Sequence, residues 1–389
     1  MSEKYGIKRL KARKAVSPNY GDMNLNKKKS LTSVADPSLF LCNIDMERLV
    51  VMLIVAAVLL ILHFVKNSNA TNGFPFPIGI YTYNVINKYD HIHDPSDGNL
   101  VSIDPSIIRK DANKYPFTQG LLFLDNDTLI ESSGLYGYSY LRKFNLSTSK
   151  TEQHYNLKSN YFAEGITVLV EPSTYKKYIL MLMYKEKRVF VFDFYSFILE
   201  HMFEYDLDGY GLTSNLNVVY SEETLKKNNF ASRQKLWATS GDDFLYELEI
   251  PHEFLKEKKL SIAKKTKITC AGFSIERVNE LEYHFETDSI YGNIFLTELI
   301  IELDITSGSC LKIISLRGLV EQCDNYDAKK KNIEAVPNGV AINPRNRKEQ
   351  LPNLLVTGKL WSNIFEIKLE KNEKLSAGAL QSSMYLFIK

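Results

Sequence analysis

The chain has 389 residues, 44% of them hydrophobic and 24% charged, with a formal net charge of +2. That apolar content suffices for one domain of about three hundred residues once a leader is set aside. The near-balanced charge, with lysines scattered through loops such as Lys226-Lys227 and Lys329 to Lys331, excludes nucleic acid as the main partner.

The first element is the apolar run Leu49 to Val65 (LVVMLIVAAVLLILHFV), about seventeen residues and just long enough to cross a bilayer as a helix. Lys4, Lys8, Arg9, Lys11, Arg13, Lys14, Lys27, Lys28, Lys29 and Arg48 precede it, whereas only Lys66 follows closely. Positive charge stays on the cytoplasmic side, so the run reads as an uncleaved type II signal anchor. The expected organisation is a basic cytoplasmic tail (1–48), a single transmembrane helix (49–65), a linker (66–78) and one domain (79–389) facing the lumen of the secretory pathway or the cell surface. Asn69, Asn126 and Asn145 stand in glycosylation sequons compatible with that topology.

Beyond residue 79 a hairpin pattern recurs, an alternating apolar strand, a polar residue near its end, a short turn and a second strand. It occurs at Leu141 to Leu157, Arg188 to Tyr205, Phe244 to Ile262, Ile300 to Leu316 and Ile364 to Gln381. The anchors Asn145, Asp193, Glu249, Asp304 and Lys368 fall about 50 to 65 residues apart. Period-2 hairpins at regular spacing predict an all-β fold, here a five-bladed β-propeller, with a two-sheet sandwich as the competing architecture. The stretches Tyr220 to Lys235, Lys256 to Thr269 and Cys323 to Asn332 are polar and lysine-rich, and read as surface loops. Their Asn, Lys and Tyr bias is what an AT-rich genome, such as an apicomplexan one, produces. Of four cysteines, Cys42, Cys270, Cys310 and Cys323, the last three admit either one disulfide or buried free thiols.

Several segments break the hairpin pattern with glycine and polar residues: Tyr115 to Gly120 (YPFTQG), Glu131 to Gly137 (ESSGLYG), Phe162 to Gly165 (FAEG), Gly209 to Thr213 (GYGLT), Arg277 to Tyr283 (RVNELEY), Pro337 to Ala341 (PNGVA) and Thr357 to Trp361 (TGKLW). In this order they resemble the plant-type glutaminyl cyclases, the glutaminyl-peptide cyclotransferases, whose pattern runs FTQG, ES(T/S)GLYG, EG(L/I)T, GWGLTS, LNELEY, (N/D)G(I/V)A and TGK(L/M)W. The resemblance spans about residues 80 to 370. It implies conversion of an N-terminal glutamine to pyroglutamate with release of ammonia, no cofactor, and peptides or proteins with N-terminal Gln as partners. With the anchor read above, the expected enzyme is a monomer held to the membrane through residues 49–65.

The chemistry itself asks for a proton shuttle, an oxyanion grip and a dry pocket that holds the folded-back conformer. Glu164 is the expected shuttle, Gln119 and Asn279 the amide grips and Lys359 the single positive charge. Phe117, Tyr184, Tyr210, Phe295 and Trp361 are the expected aromatic walls, Tyr210 and Phe295 standing where plant members carry tryptophan. The seven histidines suggest no metal site beyond the weak pair His91 and His93. Two other classes fit less well: a non-catalytic peptide- or glycan-binding propeller, and a glycosidase pairing Glu164 with Glu280 or Glu282.

Overall fold

The computed structural model describes residues 78–94, 99–100, 114–216, 218–329 and 332–372. The basic tail, the expected membrane segment 49–65 and all but the last residue of the linker lie outside the described residues. Among the described residues, no helix is long and apolar enough to cross a membrane.

Strand β1 (Gly79–Asp90) and the short β2 (Asn99–Leu100) come first. β3 (Thr118–Phe123), β4 (Thr128–Ser133), β5 (Tyr140–Asn145) and β6 (Thr151–Asn156) form an antiparallel sheet, with β2 parallel to β6 at its outer edge. β7 (Ala163–Val170), β8 (Lys177–Met183), β9 (Arg188–Asp193) and β10 (Leu199–Glu204) form the next. A third contains β11 (Leu212–Ser214), β12 (Leu236–Ala238), β13 (Phe244–Leu248) and β14 (Ile262–Lys267). After the small hairpin β15 (Thr269–Cys270) and β16 (Phe273–Ser274) come β17 (Val278–His284), β18 (Ser289–Ile294), β19 (Leu299–Asp304) and β20 (Cys310–Ser315). β21 (Pro337–Ile342), β22 (Leu354–Gly358) and β23 (Asn363–Lys371) end the series.

The predicted hairpins at 141–157, 188–205 and 300–316 are β5-β6, β9-β10 and β19-β20. Their anchors work as turn caps: Asn145, Asp193 and Asp304 each accept, through Oδ1, the backbone N–H three residues on, from Thr148 (3.0 Å), Ser196 (2.7 Å) and Ser307 (2.7 Å). The other two hairpins depart from expectation. β14 begins only at Ile262, inside a stretch read as loop, because its IAKKTK sequence is that of an exposed edge strand whose lysines discourage further pairing. β23 is paired not by a following strand but by β1, antiparallel from Tyr81↔Lys371 to Asp90↔Asn363. Residues 373–381 lie outside the described residues. β1 also runs parallel to β20 over Gly79–Tyr81, so the eight strands β17-β18-β19-β20-β1-β23-β22-β21 share one ladder.

The first strand of each sheet is an edge strand, and these edges meet: β3 lies against β7 and β21, β7 against β11, β11 against β17, and β17 against β21. The fold is therefore all-β and propeller-like, with sheets radiating from a shared axis. Hydrophobic clusters fill the spaces between neighbouring sheets; one joins Ile130 and Leu141 to Ile166, Val168 and Ile179. The polar insertions carry short helices, Glu222–Lys227 (capped by the Ser221 hydroxyl) and Tyr326–Lys329. Cys270 and Cys310 form a disulfide, and Cys323 is free and buried.

A buried polar knot joins the β3–β6 sheet to the loop after β1. Glu131 accepts from the Thr118 hydroxyl (2.6 Å) and Arg142 Nε (2.7 Å) and lies 2.9 Å from His91 Nε2. His93 stacks on Tyr140 with centroids 4.2 Å apart. The two rings are thus committed to separate contacts. Burial opposes ionisation of Glu131, but the facing His91 and Arg142 prevail and hold its carboxyl down at about 2. Burial, with Arg142 and His154 nearby, pushes His93 from 6.5 down to about 3 and lowers His154.

The unfolded chain binds more protons than the folded one at these groups, so their contribution to stability falls as pH falls. The histidine part is lost from 6.5 downward, and Glu131 adds to the loss from 4.5 down to about 2. Glu164, Glu280 and Glu282, raised by burial, act in the opposite sense, so the test is a difference between variants. Relative to the parent protein, His93→Phe, which keeps the stack on Tyr140, should gain in thermal midpoint as pH falls from 7 to 4, and an unchanged difference over this range would contradict the assignment.

Candidate active site

Four of the innermost strands place a polar side chain at their second residue: Gln119 in β3, Glu164 in β7, Asn279 in β17 and Asn338 in β21. At each of these points the pairing with the next strand slips, between Thr118 and Gly120, Ala163 and Ile166, Val278 and Leu281, and Pro337 and Val340. A bulge re-aims a side chain that a regular ladder would send to one face of the sheet, here toward the axis. Two of the glycines that follow are required. A Cβ on Gly165 would lie 2.5 Å from the Leu212 nitrogen and the Tyr210 oxygen, and Gly339 adopts φ +110°.

The four residues form one network. Gln119 Nε2 donates to Glu164 Oε1 at 3.3 Å. Asn338 Nδ2 donates to Gln119 Oε1 (3.1 Å) and to the Thr118 carbonyl (2.8 Å), while its Oδ1 accepts from Asn279 Nδ2 (2.8 Å) and Asn293 Nδ2 (3.0 Å). These bonds fix the amide orientations. Two acceptors remain over: Glu164 Oε2 and Asn279 Oδ1 are buried and find no partner among the described residues. Buried acceptors of this kind are costly unless something donates to them.

Lys359 is 4% exposed, and its Nζ lies 4.3 Å from the Phe295 ring centroid and 4.9 Å from that of Phe117. Burial raises the Glu164 carboxyl well above the usual carboxylate range, with Lys359 pulling it back and Glu186 adding to the rise. Burial likewise lowers Lys359, with Glu164 opposing. A carboxyl and an amine sharing a dry pocket thus both shift toward their neutral forms.

An aromatic row covers the pocket. Phe117 meets Phe162 (6.1 Å), Phe162 meets Tyr184 (5.6 Å) and Tyr184 meets Tyr210 (6.1 Å). Tyr136 packs edge-on against Phe162 (5.3 Å), and Glu186 holds it there by accepting from its hydroxyl at 2.7 Å. Trp361 is placed differently from the other expected walls: it sits in a hydrophobic cluster with Val340, Val356 and Phe365, and its indole N–H donates to Ala335 O (3.1 Å).

The structure also brings in two residues that the sequence reasoning had not assigned, Phe162 and Asn338. Their signal was present: Asn338-Gly339 repeats the pairing of a polar residue with glycine at a strand start seen in Gln119-Gly120 and Glu164-Gly165. Glu280 and Glu282, the carboxylates considered for sugar chemistry, serve the backbone. Glu280 accepts from Leu121 N (3.2 Å) and Val340 N (2.8 Å), and Glu282 accepts from Ile342 N (3.1 Å).

Comparison with known proteins adds independent findings. The glutamine cyclotransferase family model matches residues 83–369. The chain is 27% identical over 270 residues to a glutaminyl-peptide cyclotransferase of Arabidopsis thaliana, covering 68% of this chain and 71% of that protein. Its fold resembles the crystal structure of a glutaminyl cyclase from Myxococcus xanthus, with a TM-score of 0.55, 23% identity, and coverage of 76% of this chain and 100% of the other.

Asn338→Ala would leave the Gln119 and Thr118 acceptors and the Asn279 and Asn293 donors short of a partner, at a cost of about 2 to 4 kcal/mol in urea unfolding. Adding Asn279→Ala should then cost less than it does alone, because the two amides act through one bond. Additive losses would show that the network is not cooperative.

Proposed function

The chain belongs to the glutamine cyclotransferase family, and on that premise we propose that it is a glutaminyl-peptide cyclotransferase with Glu164 as its proton shuttle. The observation that carries the mechanism is the pair of buried acceptors, Glu164 Oε2 and Asn279 Oδ1, set among the amides of Gln119 and Asn338 and beside the buried Lys359. An N-terminal glutamine brings the N–H donors they lack, on its α-amine and on its side-chain amide.

In the reaction the α-amine nitrogen attacks the side-chain carboxamide carbon, forming the C–N bond of a five-membered lactam. The C–N bond to the side-chain nitrogen then breaks, and ammonia leaves. One proton must pass from the attacking nitrogen to the departing one. Glu164, with an affinity for protons raised by burial, suits both halves of that transfer. Gln119 and Asn279, held by Asn338, grip the carboxamide. Lys359 offers positive charge to the carbonyl oxygen as it becomes an oxyanion. The aromatic row keeps water away and holds the folded-back conformer, which supplies much of the rate in an intramolecular closure.

The wider reading has five blades, supported by the closed order of first strands β3, β7, β11, β17 and β21. It keeps the protein a monomer, attached through the type II anchor at 49–65 and facing the secretory lumen or cell surface, supported by the charge asymmetry of that segment.

The test is ammonia release from a Gln-initiated dipeptide. Glu164→Gln preserves shape and hydrogen bonding but removes the titrating proton, so kcat should fall by roughly two to four orders of magnitude with a smaller change in KM. Because the carboxylate must accept first, kcat/KM should drop as pH falls through a pKa above the ordinary carboxylate range. Lys359→Met removes the charge that lowers that pKa, so the residual activity should show its acid limb at still higher pH. Near-native turnover by Glu164→Gln would refute the shuttle.

A further inference from the structure

Next to the segment that carries Lys359 lies a hollow of about 220 Å³ bounded by Glu298, Val320, Tyr326, Ile333, Ala335 and Val336. Glu298 sits in the β18–β19 turn, and the others belong to the connection from β20 to β21. The two spaces share a wall. Val336 O accepts the Lys359 backbone N–H (3.0 Å), and Ala335 O accepts the Trp361 indole N–H. Phe295, which stacks on the Lys359 ammonium, lies three residues before Glu298. A peptide whose first residue occupies the catalytic pocket therefore has this hollow as its immediate neighbour.

The lining has a definite chemistry. Val320, Tyr326, Ile333, Ala335 and Val336 offer an apolar trough, and Ile333 is 79% exposed. Glu298 makes no ion pair among the described residues. Burial raises its carboxyl and Glu321 raises it further; the Gly318 backbone N–H and the charge of Arg317 oppose that rise without cancelling it. A second carboxylate, Glu334, acts on Lys359 from the same strap. An apolar trough ending at an under-neutralised carboxylate matches a side chain with a long aliphatic stem and a cationic head.

The geometry points to this hollow as the subsite for a lysine or arginine carried by the substrate peptide one or two residues after its N-terminal glutamine. The inference rests on the cyclotransferase reading and adds a substrate preference to it. The stem lies along Val336, Ile333 and Tyr326, and the ammonium or guanidinium reaches Glu298. A peptide with glutamate there would set like charges together in a partly desolvated site.

The experiment compares kcat/KM for Gln-Ala-Ala, Gln-Lys-Ala, Gln-Ala-Lys, Gln-Glu-Ala and Gln-Ala-Glu peptide amides on the purified protein. At one of the two positions lysine should exceed glutamate by roughly fivefold or more, the factor expected for one partly exposed ion pair. Added salt should shrink that ratio. Glu298→Gln should flatten it while leaving kcat/KM for Gln-Ala-Ala unchanged, and Glu298→Lys should invert it. Equal rates for lysine and glutamate peptides, or a preference that persists in Glu298→Gln, would overturn the subsite while the cyclotransferase reading stands. Failure to cyclise any of the five would overturn both.

Discussion

The structure depends on how backbone N–H groups are satisfied where first strands crowd around one axis. An edge strand has one side without a ladder partner, and here that side is turned inward, away from water. Side chains meet the deficit. Glu280 takes the N–H groups of Leu121 and Val340, Glu282 takes that of Ile342, and the Thr213 hydroxyl takes that of Tyr283. The ties to Leu121 and from Thr213 link two sheets, and those to Val340 and Ile342 join the two ends of the eight-stranded ladder, so the means of satisfying the axis also fixes these edges relative to one another. Glu280 is held far above the ordinary carboxylate range by burial and by Glu282, and still accepts both bonds.

The active pocket is the same arrangement with two acceptors left over. The bulged second residues of β3, β7, β17 and β21 bring amides and a carboxyl together. Asn338 satisfies the others until only Glu164 Oε2 and Asn279 Oδ1 remain. Rigidity and reactivity thus have one source. The amides are oriented by strands that are themselves tied across the axis, so little reorganisation is needed when a substrate donates to the two free oxygens.

Much of this was legible in the sequence, and the misses have physical causes. Gln119, Glu164 and Lys359 stood out because polar residues beside glycine interrupt an otherwise apolar alternation, and Asn279 through the polar NELEY string that it opens. Three hairpins were readable because Asn145, Asp193 and Asp304 cap their turns at constant spacing. β1 was missed as a partner of β23 because its pairing spans nearly the whole described chain, and no local pattern records such a closure. β14 was hidden by the lysines that protect its edge. Trp361 looked like a pocket wall because its motif also carries Lys359. The turn that sets Lys359 between Phe117 and Phe295, with Leu360 at φ +63°, is followed by a side chain that enters the core.

Lys359 shows how the pocket tolerates a charge it needs. An ammonium that is 4% exposed has lost most of its water, and its nearest carboxyl, Glu164, is itself biased toward the neutral acid. Ion pairing alone therefore cannot hold it. The faces of Phe117 and Phe295, at 4.9 and 4.3 Å, supply negative quadrupole without a titratable group and replace part of that hydration. The phenyl ring of Phe295 makes this contact through its face and needs no N–H donor. At Tyr210 the balance differs. Its phenol is pushed up to about 12 by burial and by neighbouring Tyr184 and Glu164, so it keeps its proton throughout the working range and presents Glu164 with a dipole in place of a competing charge. Burial raises the Glu164 carboxyl above the ordinary carboxylate range, the direction that the proposed shuttle requires.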